Sequence, residues 1–439
     1  MNNSKPKILI VSSADPLKGP GVLASDYYNA YKQFGYEVDV LTTFKCELYP
    51  EFLYVCERYR VRKKIVVFFR YLANKISRAL FLKKPRDNKH YFFYREEEKP
   101  PVEINKVLNQ IKKQYDLVQI IFWQGLLSFA TVQALYRRLN CLFYFSCVDY
   151  SPMSGGCHFI GDCERYKEGC GCCPAYESHD PFDFTWKNVN FRKKVYDEID
   201  PIVTGNQYMF RFYDQSVLLK RRKRVQAYPI IDTTLFKPYP KEPIRWKLKI
   251  SDKKKFILLF GCQGITDERK GIKYLIESVN KFSSRLTENE RQQVLVMSIG
   301  KDFEKICPLF KGLDTLDLGY VSKEELPTLY SLADVFLCSS INDAGPMMVD
   351  QAICCGTPVV GFEMGACLDA VKDKGTGYCA KLKDTDDFAD GIFSIYKLTD
   401  EQRQNISDNC VKLAQNTYSY KAAIEKIIGV YNQYKTKDY

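Results

Sequence analysis

The 439-residue chain reads as an α/β protein built on doubly wound parallel sheets. Two features carry that expectation. Short apolar runs such as residues 7–11 (Lys-Ile-Leu-Ile-Val) and 335–338 (Val-Phe-Leu-Cys) lack the polar alternation of a half-solvated sheet, so they read as strands buried on both faces. Between them lie stretches with helical apolar spacing that stop at a glycine, as residues 22–34 do before Gly35. The strand–helix–strand rhythm starts at residue 7 and starts afresh at residue 255, and the length allows two or three domains, each with its own core.

Composition narrows the class. Hydrophobic residues make up 46% and charged residues 27%, the balance of a soluble globular protein. No signal pattern is read at the start, because residues 7–11 lead straight into loop residues. The longest apolar region, 117–135, is interrupted by Gln119, Gln124, Gly125, Ser128 and Gln133, so it reads as a strand plus a helix. A cytoplasmic location follows as an expectation. The 17 cysteines are scattered through αβ patterns, which favours reduced thiols over disulfides. Only His90, His158 and His179 are available for histidine chemistry, which leaves little room for hydrolase triads. The net charge of +12 is uneven: residues 58–95 hold thirteen Lys or Arg against Asp87 alone, and 220–224 form a second basic cluster. Nucleic acid, anionic lipid or a phosphorylated substrate all suit such charge.

In chain order, residues 7–11 form the first strand, 15–21 a loop, 22–34 an amphipathic helix and 36–41 the second strand. Gly19-Pro-Gly-Val-Leu-Ala24 has the spacing of a dinucleotide fingerprint, but seven residues separate it from the strand, where that fingerprint needs a tight turn; a plain glycine-rich turn reads equally well. Residues 56–95 interleave Arg58, Arg60, Arg62, Lys63 and Lys64 with Phe68, Phe69, Tyr71 and Phe81. That is the pattern of a helix lying on an anionic leaflet, or of a solvated insertion packed on its own domain. Residues 115–122, 141–146 and 201–206 are further strands. Asp149 and Gly155-Gly156 follow the second of these, then Cys157, Cys163, Cys170 and Cys173. Four thiols in a short polar loop are a candidate tetrahedral zinc staple; packed reduced cysteines or a redox-labile pair are the alternatives. The proline- and charge-rich stretch 237–255 reads as the linker.

The second half opens with a strand at 255–261, then a loop carrying Arg269 and Lys270, and a helix at 272–282. Strands at 294–300 and 316–321 and a helix at 326–333 lead to the strand 335–338. A polar loop follows, with Asp343 and Gly345, and Pro346 opens a helix that Gly356 ends. A glycine loop feeding a helix start beyond the carboxyl end of a strand is an anion site, because amides and the helix dipole both point at the arriving group. Asp343 and Gln351 are placed to hold hydroxyls at its two ends; the plain alternative makes Asp343 a helix cap. Residues 375–378 read as a turn, and helices are expected at 386–396, 401–416 and 421–434.

The segment Asp343-Ala-Gly-Pro-Met-Met-Val-Asp-Gln-Ala-Ile-Cys-Cys-Gly-Thr-Pro-Val-Val resembles the signature of group 1 retaining glycosyltransferases of the GT-B fold. In that family two glutamates seven residues apart bracket the nucleotide sugar; Asp343 and Gln351 stand at those positions, a shorter acid and a neutral amide. The resemblance implies two Rossmann-like domains facing across a cleft. The first is 1–236, with the basic insertion 56–95 and the cysteine insert 155–174, completed by the C-terminal helix 417–439; the second is 237–416. It implies that Lys270 and Arg269 neutralise the donor diphosphate, and that Gly345, Pro346, Met347 and Met348 line it. Asp343 would orient the transferred hexose and Gln351 the ribose, while Gly19, Gly21 and Asp149 would face donor phosphate or acceptor. Relatives carry a histidine just before that aspartate, where this chain has Val148. Residues 155–174 resemble the Gly-Gly-Cys-His insert of a bacterial subset, so Cys157, Cys163, Cys170 and Cys173 are candidate structural zinc ligands. The resemblance further implies a nucleotide-sugar donor, no catalytic metal, and a lipid-linked saccharide acceptor in surface polysaccharide assembly at the inner face of the membrane, met through residues 56–95. No specific nucleic acid is expected. The rival readings are a nucleotide-dependent oxidoreductase, a basic zinc-containing nucleic-acid binder, and a donor binder without turnover.

Overall fold

The computed structural model describes residues 5–55, 96–227, 229–262 and 264–435; the basic stretch 56–95, and with it the expected membrane-facing helix, lies outside the described residues. The chain divides into two compact units. One comprises Met1–Gly205, Phe210–Tyr228 and Ile424–Tyr439, the other Asn206–Met209 and Pro229–Ala423.

In unit 1 the strands are β1 (Lys7–Ser12), β2 (Glu37–Thr42), β3 (Leu53–Tyr54), β4 (Leu117–Phe122), β5 (Leu142–Ser146), β6 (Ile202–Gly205) and β7 (Arg224–Gln226). They form one parallel sheet in the order β3-β2-β1-β4-β5-β6-β7. Ile8 to Val11 are fully buried, as an unbroken apolar run in a sheet covered on both faces must be. The helix Tyr420–Lys435 packs its Ile424, Ile427 and Tyr431 side inward, and Tyr144 Oη donates to the Ile427 carbonyl at 3.1 Å.

Unit 2 repeats the design with β8 (Phe256–Cys262), β9 (Val294–Gly300), β10 (Asp314–Asp317), β11 (Val335–Cys338), β12 (Val359–Phe362) and β13 (Gly377–Ala380), all parallel, in the order β10-β9-β8-β11-β12-β13. Phe256, Leu258 and Phe260 pack on one face with Leu275, Val279 and Phe282. Ile257 and Leu259 pack on the other with Val349, Ala352 and Ile353. Alternate residues of one strand thus feed two cores, which is why the run carries no polar position.

Some elements differ from expectation. The turn foreseen at 375–378 gives way at Gly377 to β13, which pairs residue for residue with β12 and makes the sixth strand. The strand foreseen at 316–321 ends at Asp317, because Asp317 Oδ1 accepts from Ser298 Oγ at 2.7 Å and from the Gly319 amide at 3.3 Å, turning the chain away. Within 237–255 a short helix, Lys241–Lys247, buries Ile244 in unit 2, and Lys241 Nζ meets Asp334 at 2.7 Å. Among the described residues no helix is long and apolar enough to cross a membrane.

Candidate active site

Both sheets reverse their strand order at the first strand, between β1 and β4 in unit 1 and between β8 and β11 in unit 2. Ligands of open α/β sheets bind beyond the carboxyl ends of the strands at such a point. In unit 2 the loops leaving β8 and β11 meet there, and local chemistry fixes how. Asp267 accepts the Arg269 amide at 3.1 Å and starts the 3-10 turn Glu268–Lys270. Gly271 ends that turn at φ +65 and opens the helix Ile272–Ser284. A Cβ at Gly271 would stand 2.0 Å from the Ser339 carbonyl oxygen, so the approach requires glycine. The Ile341 amide donates to the Arg269 carbonyl at 2.7 Å, and Ser339 Oγ to the Lys270 carbonyl at 2.8 Å.

This stapling brings Arg269, Lys270 and Asp343 together. Lys270 Nζ lies 2.5 Å from Asp343 Oδ2, and the Gly345 amide donates to Asp343 Oδ1 at 3.3 Å. Arg269 Nη2 pairs with Asp267 at 2.6 Å. Burial pushes the Asp343 carboxyl up, but the Lys270 charge, its hydrogen bond, the Gly345 amide and Arg269 outweigh it, and the net shift is below the usual carboxylate range. Burial likewise works against the Lys270 ammonium, and Asp343 more than offsets it. Both groups therefore stay charged at neutral pH. Pro346 stands at the cap of the helix Met347–Cys354, in extended backbone at ψ 102. Gln351 does not join the cluster: its Oε1 accepts from the buried Tyr330 hydroxyl at 3.1 Å. Asn206, absent from the sequence expectations, donates from Nδ2 to the Ala344 carbonyl at 2.9 Å and fixes the loop one residue from Gly345. A lone Asn after a short strand carries no motif that would have singled it out.

In unit 1, Gly19–Gly21 is a 3-10 turn feeding the helix Val22–Gln33, which starts ten residues beyond the end of β1. A Cβ on Gly21 would sit 1.9 Å from the Asp15 carbonyl oxygen, so the loop's own packing accounts for this glycine, and the tight strand-to-helix turn of a dinucleotide fingerprint is not present. Asp149 follows β5 by three residues. Its Oδ1 accepts the Ser151 amide at 2.8 Å, and its Oδ2 meets His158 Nδ1. Ser151 Oγ lies 3.1 Å from the same nitrogen. His158 reaches Asp149 from nine residues downstream, a meeting that spacing alone did not reveal.

The structure lends the zinc expectation no support. Among the described residues no group of three or more Cys, His, Asp or Glu is placed to hold a metal ion. Burial, and then the neighbouring thiols Cys173, Cys170 and Cys163, push the Cys157 thiol well up, and burial pushes Cys170 up to about 12. The insert is held instead by ordinary hydrogen bonds. Asp183 Oδ2 accepts the Cys173 amide at 3.0 Å, Thr185 Oγ1 accepts the Gly171 amide at 3.0 Å, and Cys170 Sγ accepts the Gly155 amide at 3.3 Å. Cys163, the fourth member, is half-buried and free.

Residues 240–412 match the family described as "Glycosyl transferases group 1". The N-acetyl-alpha-D-glucosaminyl L-malate synthase of Bacillus anthracis is 25% identical over 49% of this chain and 54% of that protein. The N,N'-diacetylbacillosaminyl-diphospho-undecaprenol alpha-1,3-N-acetylgalactosaminyltransferase of Campylobacter jejuni is 25% identical over 41% of this chain and 44% of that protein. The chain spans about half the length of the curated relatives it matches. Among solved structures, Anabaena HepE in complex with UDP and glucose aligns over 98% of this chain and 100% of that chain with a TM-score of 0.63; at 14% identity this likeness concerns the fold alone. Two parallel Rossmann-like sheets together with this neighbour establish an α/β fold of the GT-B type, within which residues 240–412 match the model of the group 1 glycosyl transferases.

Proposed function

We propose that the protein is a glycosyltransferase that moves a hexose from a nucleotide-sugar donor, with retention, to a lipid-linked saccharide acceptor in surface polysaccharide assembly. The observation that carries this reading is the meeting of Lys270, Arg269 and Asp343 where the strand order of unit 2 reverses, one turn before the helix Met347–Cys354. Two fixed cations and a helix start are suited to a diphosphate leaving group, whose negative charge grows as the bond to the sugar breaks. Lys270 is paired with Asp343 before any donor arrives, so the diphosphate would take over the ammonium while the freed carboxylate turns to the sugar hydroxyls. Gln351 would address the ribose by exchanging its Tyr330 contact. Gly345, Met347 and Met348 offer amides at the helix start, with Pro346 setting their direction. Asp149, Gly19 and Gly21, in unit 1, would serve the acceptor side. The bound UDP and glucose named for the Anabaena structure favour a nucleotide-sugar donor. The diphospho-undecaprenol in the name of the Campylobacter relative favours a lipid-linked acceptor, and the basic stretch 58–95 suits an anionic membrane surface.

The test is a panel of nucleotide sugars followed for nucleotide release, with and without a membrane lipid extract. One donor is expected to be consumed faster in the presence of lipid, with the anomeric configuration kept in the product. Absence of binding or hydrolysis across the panel would remove the transferase reading.

A further inference from the structure

We propose that Cys338 and Cys367 form an oxidation site: a peroxide takes two electrons from the pair, which closes to a disulfide beneath the loop carrying Asp343. The bond itself is independent of the transferase reading above, and its effect on turnover rests on that reading.

A glycine brings the two sulfurs together. Cys338, the last residue of β11, pairs in register with Gly361 of β12, and Gly361 pairs with Cys379 of β13. The three stand in one row across the sheet and face the same side of it. A Cβ on Gly361 would lie 2.4 Å from Cys367 Sγ and 3.3 Å from Cys338 Cβ, so the Cys367 sulfur fills the gap that the glycine leaves in the row. There the Cys367 thiol hydrogen-bonds the Cys338 sulfur. Cys379 is turned to another partner, its thiol donating to the Cys367 carbonyl at 3.7 Å. All three are free thiols.

The surroundings set an order of events. Cys338 keeps 6% of its surface and Cys367 none, so an oxidant close to water in size meets Cys338 first. The Cys367 bond, then the Ser340 amide and the Lys270 ammonium, hold the Cys338 thiol below its ordinary range against the pull of burial. The same bond, and then burial, push Cys367 well up. A sulfur that ionises more readily, beside a protonated one, is an attacking thiol beside a resolving thiol. Cys338, having given up its proton, attacks one oxygen of hydrogen peroxide. The S–O bond forms, the O–O bond breaks, and the departing hydroxide takes up that proton as water. Cys367 then attacks the sulfenic sulfur: the S–S bond forms, the S–O bond breaks, and the hydroxyl leaves as a second water with the Cys367 proton. Two thiols are oxidised by two electrons and one peroxide is reduced to two waters.

The pair lies between two supports of the proposed donor site. Ser339, next to Cys338, donates from Oγ to the Lys270 carbonyl at 2.8 Å. Met364 Sδ accepts the Asp343 amide at 3.1 Å, and the Met364 carbonyl accepts the Cys367 amide at 3.2 Å. A covalent bond in place of a thiol contact draws these supports together, and a close-packed interior passes that strain on to Lys270 and Asp343.

The test uses the full-length protein, either reduced with dithiothreitol or treated with hydrogen peroxide, then denatured, alkylated, digested and mapped by mass spectrometry. Peptides joined through Cys338 and Cys367 are expected after peroxide and are expected to separate on reduction. Turnover of the donor found in the nucleotide-sugar panel should fall by roughly tenfold or more on oxidation and return on reduction. Cys338→Ala should keep turnover within about twofold of the reduced wild type and should not respond to peroxide. Cys367→Ala, which lacks the resolving sulfur, should accumulate a sulfenic acid at Cys338 that dimedone traps. Where either variant fails to fold, the wild-type map decides alone. Both thiols still open to alkylation after peroxide, a link through Cys379 instead, an equal peroxide loss in Cys338→Ala, or no dimedone adduct in Cys367→Ala each overturns the inference. A reduced wild-type chain that turns over no nucleotide sugar removes the transferase reading, and the peptide map still decides the disulfide.

Discussion

Lys270 Nζ and Asp343 Oδ2 lie 2.5 Å apart, tying the loop after β8 to the loop after β11 at the point where strand order reverses. Neither residue is fully exposed, so the pair is a partly desolvated one. Removing one member leaves the other charged in a site built for two, and that loss exceeds what the intact pair contributes.

Lys270→Ala is therefore expected to act twice. Turnover should fall by well over tenfold, since one of the two cations proposed to face the diphosphate is gone; a factor of ten corresponds to about 1.4 kcal/mol of barrier. Stability should fall by about 2 kcal/mol, below the range for fully buried pairs because the lysine still reaches solvent. Adding Asp343→Asn should restore part of the stability and none of the rate. Nucleotide release and urea denaturation of the three variants separate the two effects, and unchanged turnover in Lys270→Ala takes it out of the site.

The same pair sets an acid limit. The Asp343 carboxyl titrates below its unfolded value of about 3.9, so its contribution is fully present above that value and is lost as pH falls through the folded one. Lys270 is shifted the other way, so its contribution holds below its unfolded value and fades only in strong alkali. Melting temperature measured from pH 7 downward should drop more steeply for the wild type than for Asp343→Asn once pH passes below about 4. Parallel curves would mean the carboxylate is not paired in solution.

Much of this arrangement was legible in the sequence, and the reasons are physical. The buried strands announce themselves because a two-faced core admits no polar residue along Ile8–Val11 or Phe256–Phe260. The loop chemistry around Lys270 and Asp343 was legible because glycine, proline and acid–base residues cluster there for reasons local to a strand–loop–helix joint. What stayed hidden depends on distance in space. His158 against Asp149, Arg192 against Glu97, and Asn206 against Ala344 join residues 9, 95 and 138 apart, and no periodicity encodes such meetings. The four cysteines show the opposite limit: their spacing suits a metal, and it says nothing of the amides and burial that surround them in the fold.

Arg192 is the hub of unit 1. Its guanidinium bonds Glu97, Ser151 and Ser154 and lies over the Trp123 and Phe129 rings at 5.7 and 5.1 Å. Arg192→Ala leaves the Glu97 carboxylate buried and two carbonyls unmatched, so a loss of about 3–5 kcal/mol is expected in denaturant unfolding. Arg192→Lys should recover little, because a single ammonium cannot reproduce the planar fork. A loss under about 1 kcal/mol for Arg192→Ala would mean that the loop is held by its other donors.

Treatment with a strong chelator tests the cysteine insert directly. Because hydrogen bonds hold the loop, the melting temperature is expected to stay where it was, and metal analysis should return no stoichiometric zinc. Cys157 should also remain unalkylated in the folded protein at mildly alkaline pH. One zinc per chain, together with a chelator-induced fall in stability, would restore the metal site.

Asp350 runs against the logic of the rest of unit 2. It lies in the helix Met347–Cys354, is 2% exposed, and its Oδ2 has no hydrogen-bond partner among the described residues. Burial first, and the nearby Asp369 carboxylate second, push its carboxyl well above the usual range, against a hydrogen bond with Tyr418. An acid whose folded pKa is raised binds more protons folded than unfolded above pH 4, so its contribution to stability falls as pH rises. Asp350→Asn removes that dependence while keeping a partner for Tyr418. The variant should melt above the wild type at pH 8, and the gap should close on approach to pH 4, where both chains present a neutral group. A variant that melts lower at pH 8 would mean that the folded protein holds Asp350 charged, with a counter-charge brought to it in solution.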